Sequence, residues 1–317
     1  MEVLKEIYFD RWEDFVEHFK DYKSNNEGKF IFRGHSNESQ YLGKFTKWSL
    51  ISSFNRTQPK FGYSFSDYLI QQFESELFRI TYGNYAYKKI RLLTKSSVLR
   101  KCYLFQHYGI PTCFIDFTFN PLIALYFSLT NIPGRSGGSY DMDGNPGFYS
   151  NDKDKDYVSI YQIDTHLLQQ ILGVKQISSR TFGWKTLDHY TISAFKKLHF
   201  PSLIGLDLRP TFGRNGLLKN HNLFRQEGCF LYYDNEESGL SFEKFVETYC
   251  EDHDISVPSS IITIYNINYN SLFKKMHSRQ PNHISVFRFL KEKKLTGQFL
   301  FDDLQGLKYD FNFFHNE

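Results

Sequence analysis

The run from Leu104 to Ser128, Leu-Phe-Gln-His-Tyr-Gly-Ile-Pro-Thr-Cys-Phe-Ile-Asp-Phe-Thr-Phe-Asn-Pro-Leu-Ile-Ala-Leu-Tyr-Phe-Ser, constrains the fold of this chain more than any other. It passes from a helix-like apolar stretch through a Gly-Ile-Pro-Thr turn into a short aromatic strand, Phe114-Ile115-Asp116-Phe117. Asn120-Pro121 then opens a new helix over residues 122–130, because proline suits the first helical turn. Gln106, His107, Thr112, Asp116 and Thr118 are polar groups set among aromatics and aliphatics. Such groups are costly to bury unless hydrogen-bonded, so their density predicts a built polar site.

Elsewhere the pattern alternates between helical and strand periods without regularity. Residues 12–19 place apolar side chains at helical spacing, with acids in the first turn. Lys29 to Gly34 reads as a strand, with Phe30, Phe32 and Gly34 on one face and Ile31, Arg33 and His35 on the other. Further strands are expected over 157–163, 203–208, 229–233 and 261–267. Helices are expected over 66–78, from about 96 to 108, near 185–198, 242–249 and 272–276, and over 283–294. Residues 132–156, rich in Gly, Asp, Ser and Asn, read as a flexible insertion. No GxGxxG follows a strand, and strands and helices do not alternate as a doubly wound parallel sheet requires. The expected class is α+β: a single main domain whose mixed or antiparallel sheet is flanked by helices.

Composition excludes several functions. Of 317 residues, 41% are hydrophobic, with 33 Phe and 22 Tyr, enough for a sizeable core. The net charge of +3 is too small for a protein that coats nucleic acid generally. Cys102, Cys113, Cys229 and Cys250 show no metal-ligand spacing and read as reduced thiols of a cytosolic protein. The N-terminal residues lack a signal-peptide layout, and no apolar run approaches the roughly 18 residues a membrane span needs. The chain is expected to be cytoplasmic, with no metal and no membrane partner.

The candidate site residues each carry two readings. Arg33 is either a core-edge arginine satisfied by carbonyls and a carboxylate such as Asp116, or an anchor for a phosphate, whose oxygens match a guanidinium fork. Gly34 beside it permits close approach of a ligand. His107 near a helix end either compensates the helix dipole or acts as an acid or base. Asp116 either caps the following turn or serves as a base, or as an orienter of Arg33 or His107. Glu227 is either a solvated charge or a second carboxylate, and the Gln226 amide suits a ribose hydroxyl or a base edge. The catalytic candidates are therefore Asp116, His107 and Glu227. The ligand-binding candidates are Arg33, Gly34, Gln106, Thr112 and Gln226. Arg33, Asp116 and Gln226 are expected to converge on one cleft.

Phe32-Arg33-Gly34 and the passage Leu104 to Phe127 resemble the FRG domain family, as do Arg225 to Phe230 and Leu300 to Leu307. Cys113 stands where the family usually has Arg, and Phe117 where it usually has Trp. The resemblance implies one domain over residues 1–317, with a core of about 6–270 and a C-terminal helical extension of about 270–317. The order Arg33-Gly34, then Thr112 through Phe127, then Gln226-Glu227 is also similar to the ADP-ribosyltransferases of the Arg-Ser-Glu type. Their catalytic Glu would fall at Gly228, one step from Glu227 and on the opposite strand face unless a bulge intervenes. These likenesses imply a phosphate-bearing nucleotide as ligand, with NAD as the candidate substrate. They further imply an ADP-ribosyltransferase-like or NAD-cleaving activity, in which Glu227 or Asp116 stabilises an oxocarbenium-like state. A role in bacterial defence or as a toxin-like protein rests on that analogy. The competing expectation is a non-enzymatic module that recognises nucleic acid or protein, with Lys88, Lys89, Arg91, Arg100 and Lys101 tracking a backbone.

Overall fold

The computed structural model of the chain describes residues 2–22, 29–35, 39–41, 44–46, 49–57, 106, 111–130, 157–172, 177–178, 202–205, 225–233, 240–272 and 285–300. The strands are β1 (Leu4–Phe9), β2 (Phe30–His35), β3 (Ser39–Tyr41), β4 (Lys44–Thr46), β5 (Phe114–Thr118), β6 (Tyr157–Asp164), β7 (Ile177–Ser178), β8 (Ser202–Gly205), β9 (Gly228–Tyr232) and β10 (Ile262–Asn268). Eight of them form one sheet in the order β1-β10-β6-β2-β5-β9-β8-β7, and β3 pairs with β4 apart from it. The inner pairings from β10 to β8 are antiparallel, whereas β1–β10 and β7–β8 are parallel. The sheet is therefore mixed, and the expected α+β class holds.

β6 and β10 are buried along almost their whole length, which is what two covered faces require. β1 lies at an edge, and its Lys5, Glu6 and Tyr8 are exposed. Its Lys5 and Glu6 hide the strand pattern from a reader of the sequence alone.

Helices cover both faces. On one, α1 (Trp12–His18), α3 (Pro121–Thr130) and α6 (Ser285–Glu292) bring Trp12, Phe15, Ile123, Leu125, Leu129, Val286 and Leu290 against Phe32, Ile160 and Ile267. On the other, α4 (Thr165–Leu172) and α5 (Phe242–Asp252) set Leu168, Leu172, Phe242 and Val246 against Ile31, Ile115, Ile163, Leu231 and Ile264. Two short helices complete the set among the described residues, α2 (Ser53–Thr57) and α7 (Gly297–Leu300). Leu300 of α7 is fully buried in the same cluster as Trp12 and Phe32, so residues 285–300 are part of the main core.

Side-chain oxygens start the helices where an extended segment must turn. Asp164 Oδ1 accepts from the amides of His166 and Leu167, both at 3.0 Å, and opens α4. That helix carries no strong sequence signal because Asp164 doubles as the last residue of β6. Asn120 Oδ1 does the same for α3, accepting from Leu122 N at 3.0 Å. The turn after β10 is a single 3-10 turn, Tyr269–Leu272. The helices expected over 66–78, 96–108 and 185–198, the continuation to 276 and the insertion at 132–156 lie outside the described residues, apart from Gln106 and Leu272.

The packing of β2 against α3 is set by Gly34. A Cβ there would lie 1.8 Å from the carbonyl oxygen of Ala124 and 2.7 Å from the amide nitrogen of Ser128. Only a residue without a side chain lets the helix backbone come this close.

Candidate functional site

The ladder between β2 and β5 consists of one pair, Phe32 opposite Thr118. One residue further along β2, the Arg33 side chain reaches across to β5. Its Nη1 donates to the backbone carbonyl of Asp116 at 2.6 Å and lies 3.8 Å from the carboxylate Oδ2. The guanidinium thus supplies a donor to a strand carbonyl where the ladder stops. Its Nε donates to His35 Nε2 at 3.0 Å, so both ends of the fork are held.

The carboxylate of Asp116 is gripped from the other side. Gln106 Nε2 donates to Asp116 Oδ2 at 2.7 Å, and Gln106 Oε1 accepts from the Thr112 hydroxyl. The Thr112 Oγ1 accepts in turn from the amide of Phe114 at 3.2 Å. Four of the sequence candidates, Arg33, Gln106, Thr112 and Asp116, therefore form one connected group. The structural reading of Arg33 holds here, since it donates to the Asp116 carbonyl and lies beside the Asp116 carboxylate. The Asp116 side chain is 55% exposed and that of Arg33 21%.

Burial and charge act against each other in this group. Desolvation by the surrounding protein pushes the Asp116 carboxyl pKa up, opposed by Arg33, by the Gln106 hydrogen bond and by Arg56. Desolvation lowers the Arg33 pKa, with Asp116 opposing. His35 is buried and is held well below its usual pKa by desolvation first and then by Arg33 and Arg56. It is therefore neutral, in keeping with its Nε2 acting as an acceptor. Its ring also meets Tyr161 edge-on at 5.3 Å.

Among the described residues, Arg33 and Arg56 both act on the Asp116 carboxylate, and the histidine is uncharged. His35 was within reach of sequence reasoning, since period two sets it on the Arg33 face of β2. Arg56 was not, because Ser53-Phe54-Asn55-Arg56 carries no motif and only the docking of α2 brings it in. Among the described residues no group of three or more His, Cys, Asp or Glu is placed to hold a metal ion. No helix among them is long and apolar enough to cross a membrane.

The remaining candidates are placed differently. Gly34 faces the backbone of α3, so the close approach it allows is that of a helix. Gln226 Nε2 donates to the Leu300 carbonyl at 3.1 Å, and its own carbonyl accepts from the Thr118 hydroxyl at 2.7 Å. Its side-chain amide is engaged by α7. Arg225 beside it holds the Phe299 carbonyl at 3.4 Å and stacks over the Phe299 ring. This segment therefore latches the end of α7 to the start of β9. Glu227 sits in the turn before β9 with φ 45°, and its Oε1 accepts from Asn120 Nδ2 at 3.0 Å. That contact ties it to the start of α3, the local role that sequence reasoning assigned to Asp116. His107 and Lys88, Lys89, Arg91, Arg100 and Lys101 lie outside the described residues.

Residues 28–135 match the family model described as FRG domain. No curated protein and no solved structure matches the chain. The matched span contains Arg33, Arg56, Gln106, Thr112 and Asp116, so the connected group falls wholly within it.

Proposed function

We propose that this chain, which carries an FRG domain at residues 28–135, binds a phosphate-bearing nucleotide at the end of the β2–β5 ladder, with Arg33 as the phosphate anchor. The observation that carries this reading is the fixed geometry of Arg33: its guanidinium is held by His35 Nε2 and the Asp116 carbonyl, beside the half-exposed Asp116 carboxylate. A guanidinium held by His35 and the Asp116 carbonyl is fixed in orientation before the ligand arrives, which lowers the entropic cost of binding. Gln106, half-buried beside Asp116, presents its amide at the same place, suited to the sugar or to phosphate oxygens, and the fully buried Thr112 holds it in position.

NAD is the ligand that gives the site a reaction. Cleavage of its glycosidic bond develops positive charge on the ribose, and the Asp116 carboxylate is the group in this cluster able to stabilise it. Glu227, engaged with Asn120, is less suited to that part. Calorimetric titration with NAD and with ADP-ribose tests the binding, and nicotinamide release tests the chemistry. Binding by the wild-type protein that disappears in Arg33→Gln, with the fold retained by circular dichroism, is the expected result. A wild-type protein that takes up neither compound at millimolar concentration would overturn the reading. Binding without nicotinamide release would leave a nucleotide-recognition domain and remove the enzyme.

A further inference from the structure

We infer that Asp116 Oδ1 accepts a hydrogen bond from a ribose hydroxyl of the ligand and so selects ribonucleotides over their deoxy forms, an inference that rests on the phosphate-anchor reading of Arg33. The first support is the direction of the hydrogen bonds behind the carboxylate. Thr112 is fixed by its amide, which donates to Ser53 Oγ of α2 at 3.0 Å. Its Oγ1 accepts from Phe114 N at 3.2 Å, and its single hydroxyl proton goes to Gln106 Oε1. With that oxygen taken, the Gln106 amide can present only N–H to Asp116, and it donates to Oδ2 at 2.7 Å. The chain of donors therefore runs one way and ends on the carboxylate. It holds the Asp116 side chain in place and commits Oδ2 to the protein.

The second support is what this commitment leaves over. Arg33 Nη1, at 3.8 Å, also lies against Oδ2. Among the described residues no side chain engages Oδ1, which sits on a side chain that is 55% exposed. The fork of Arg33 is used in the same one-sided way. Nε donates to His35 and Nη1 to the Asp116 carbonyl, while Nη2 has no acceptor among the described residues. An open acceptor and an open pair of N–H donors thus stand on either side of one charge pair. An ionised phosphate suits Nη2 but has no proton to give Oδ1. A ligand that covers the carboxylate displaces water from Oδ1 and must replace it with a donor, or leave a charged oxygen unsatisfied. A hydroxyl is that donor, and in a nucleotide the ribose carries the hydroxyls beside the phosphates.

The test is calorimetry of ADP against 2′-deoxy-ADP and 3′-deoxy-ADP, with pyrophosphate as a hydroxyl-free probe of Arg33, for wild type and Asp116→Asn. Wild type should bind at least one deoxy compound about tenfold or more weakly than ADP, as a lost hydrogen bond to a charged group requires. In Asp116→Asn the side-chain oxygen turns to the Gln106 amide, and an NH2 group faces the ligand. That variant should lose the discrimination yet bind pyrophosphate at least as tightly as wild type, since a like charge is gone. Wild type binding the three nucleotides equally would overturn the inference while the anchor at Arg33 stands, a result that depends on no variant. Asp116→Asn keeping the wild-type ratio would also overturn it. So would a loss of pyrophosphate and nucleotides alike with a lowered unfolding temperature, which would leave Asp116 the structural partner of Arg33. Wild type binding neither ADP nor pyrophosphate would remove the anchor reading, and this inference with it.

Discussion

Replacing Gly34 by alanine asks whether the helix or a ligand owns the space beside β2. The added Cβ would stand 1.8 Å from the Ala124 oxygen, 2.7 Å from Ser128 N and 2.9 Å from the Ala124 carbonyl carbon. Carbon and oxygen rest at about 3.3 Å in close contacts, so strand and helix must part by roughly 1.5 Å. The atoms in the way are backbone, so no rotamer change relieves the clash. Nor can α3 withdraw freely, because Ile123, Ala124, Leu125 and Leu129 on it are fully buried. A gap of about 1 Å already forfeits up to about half of a packing contact, and overpacking costs about 1–3 kcal/mol, occasionally more. The displacement here places Gly34→Ala at about 3 kcal/mol or above. With a urea m-value of about 3 kcal/mol/M, the unfolding midpoint should fall by about 1 M. Ala124→Gly added to Gly34→Ala should restore nothing, since the clashing atoms remain. A midpoint within about 0.2 M of wild type would refute the argument. Together with lost nucleotide binding, that result would return Gly34 to the ligand.

Other outcomes follow from the same packing. The neutral His35 has a folded pKa depressed below its usual 6.5, so its contribution to stability is present above that pH and is lost as the pH falls below it. Wild type should lose about 1.4 kcal/mol per pH unit below about 6.5, and His35→Gln should flatten that slope, as read from urea midpoints at pH 7.5 and 5.5. Asn120→Ala removes the cap of α3 and the partner of Glu227, and should cost about 1–2 kcal/mol. Asn120→Asp keeps the cap but faces Glu227 with a like charge, so its thermal midpoint should fall between those of wild type and the alanine variant.

The parts of the fold legible in the sequence are those whose signal is local. The strand Phe114–Thr118, the helix beginning at Pro121, the strand Phe30–His35 and the runs at 157–164 and 262–268 each declare themselves by period and punctuation. The density of polar groups in the passage from Leu104 to Ser128 also marked Gln106, Thr112 and Asp116, which the fold joins in one hydrogen-bonded group with Arg33. What was not legible depends on contacts between distant segments. Arg56 enters the cluster only because Ser53 and Thr112 bond each other. The carboxylate of Glu227 is claimed by Asn120, and the amide of Gln226 by Leu300, through pairings that no spacing encodes. Gly34 was expected to let a ligand approach, and the neighbour it admits is the backbone of α3, a distinction that a sequence cannot make.

The edge strand sets a timetable for how this protein can be made. β1 lies parallel to β10, with Leu4 opposite Ile262, and Asn266 donates to the carboxylate of Glu6 across 260 residues of chain. β1 therefore leaves the ribosome well before the strand it pairs with, and waits for it. At about 5–20 residues per second, it stays without its partner for roughly a quarter of a minute to most of a minute. During that interval Leu4, Ile7 and Phe9 need protection from mispairing. The charges of Lys5 and Glu6, which obscure the strand in the sequence, discourage its pairing with other chains in the meantime.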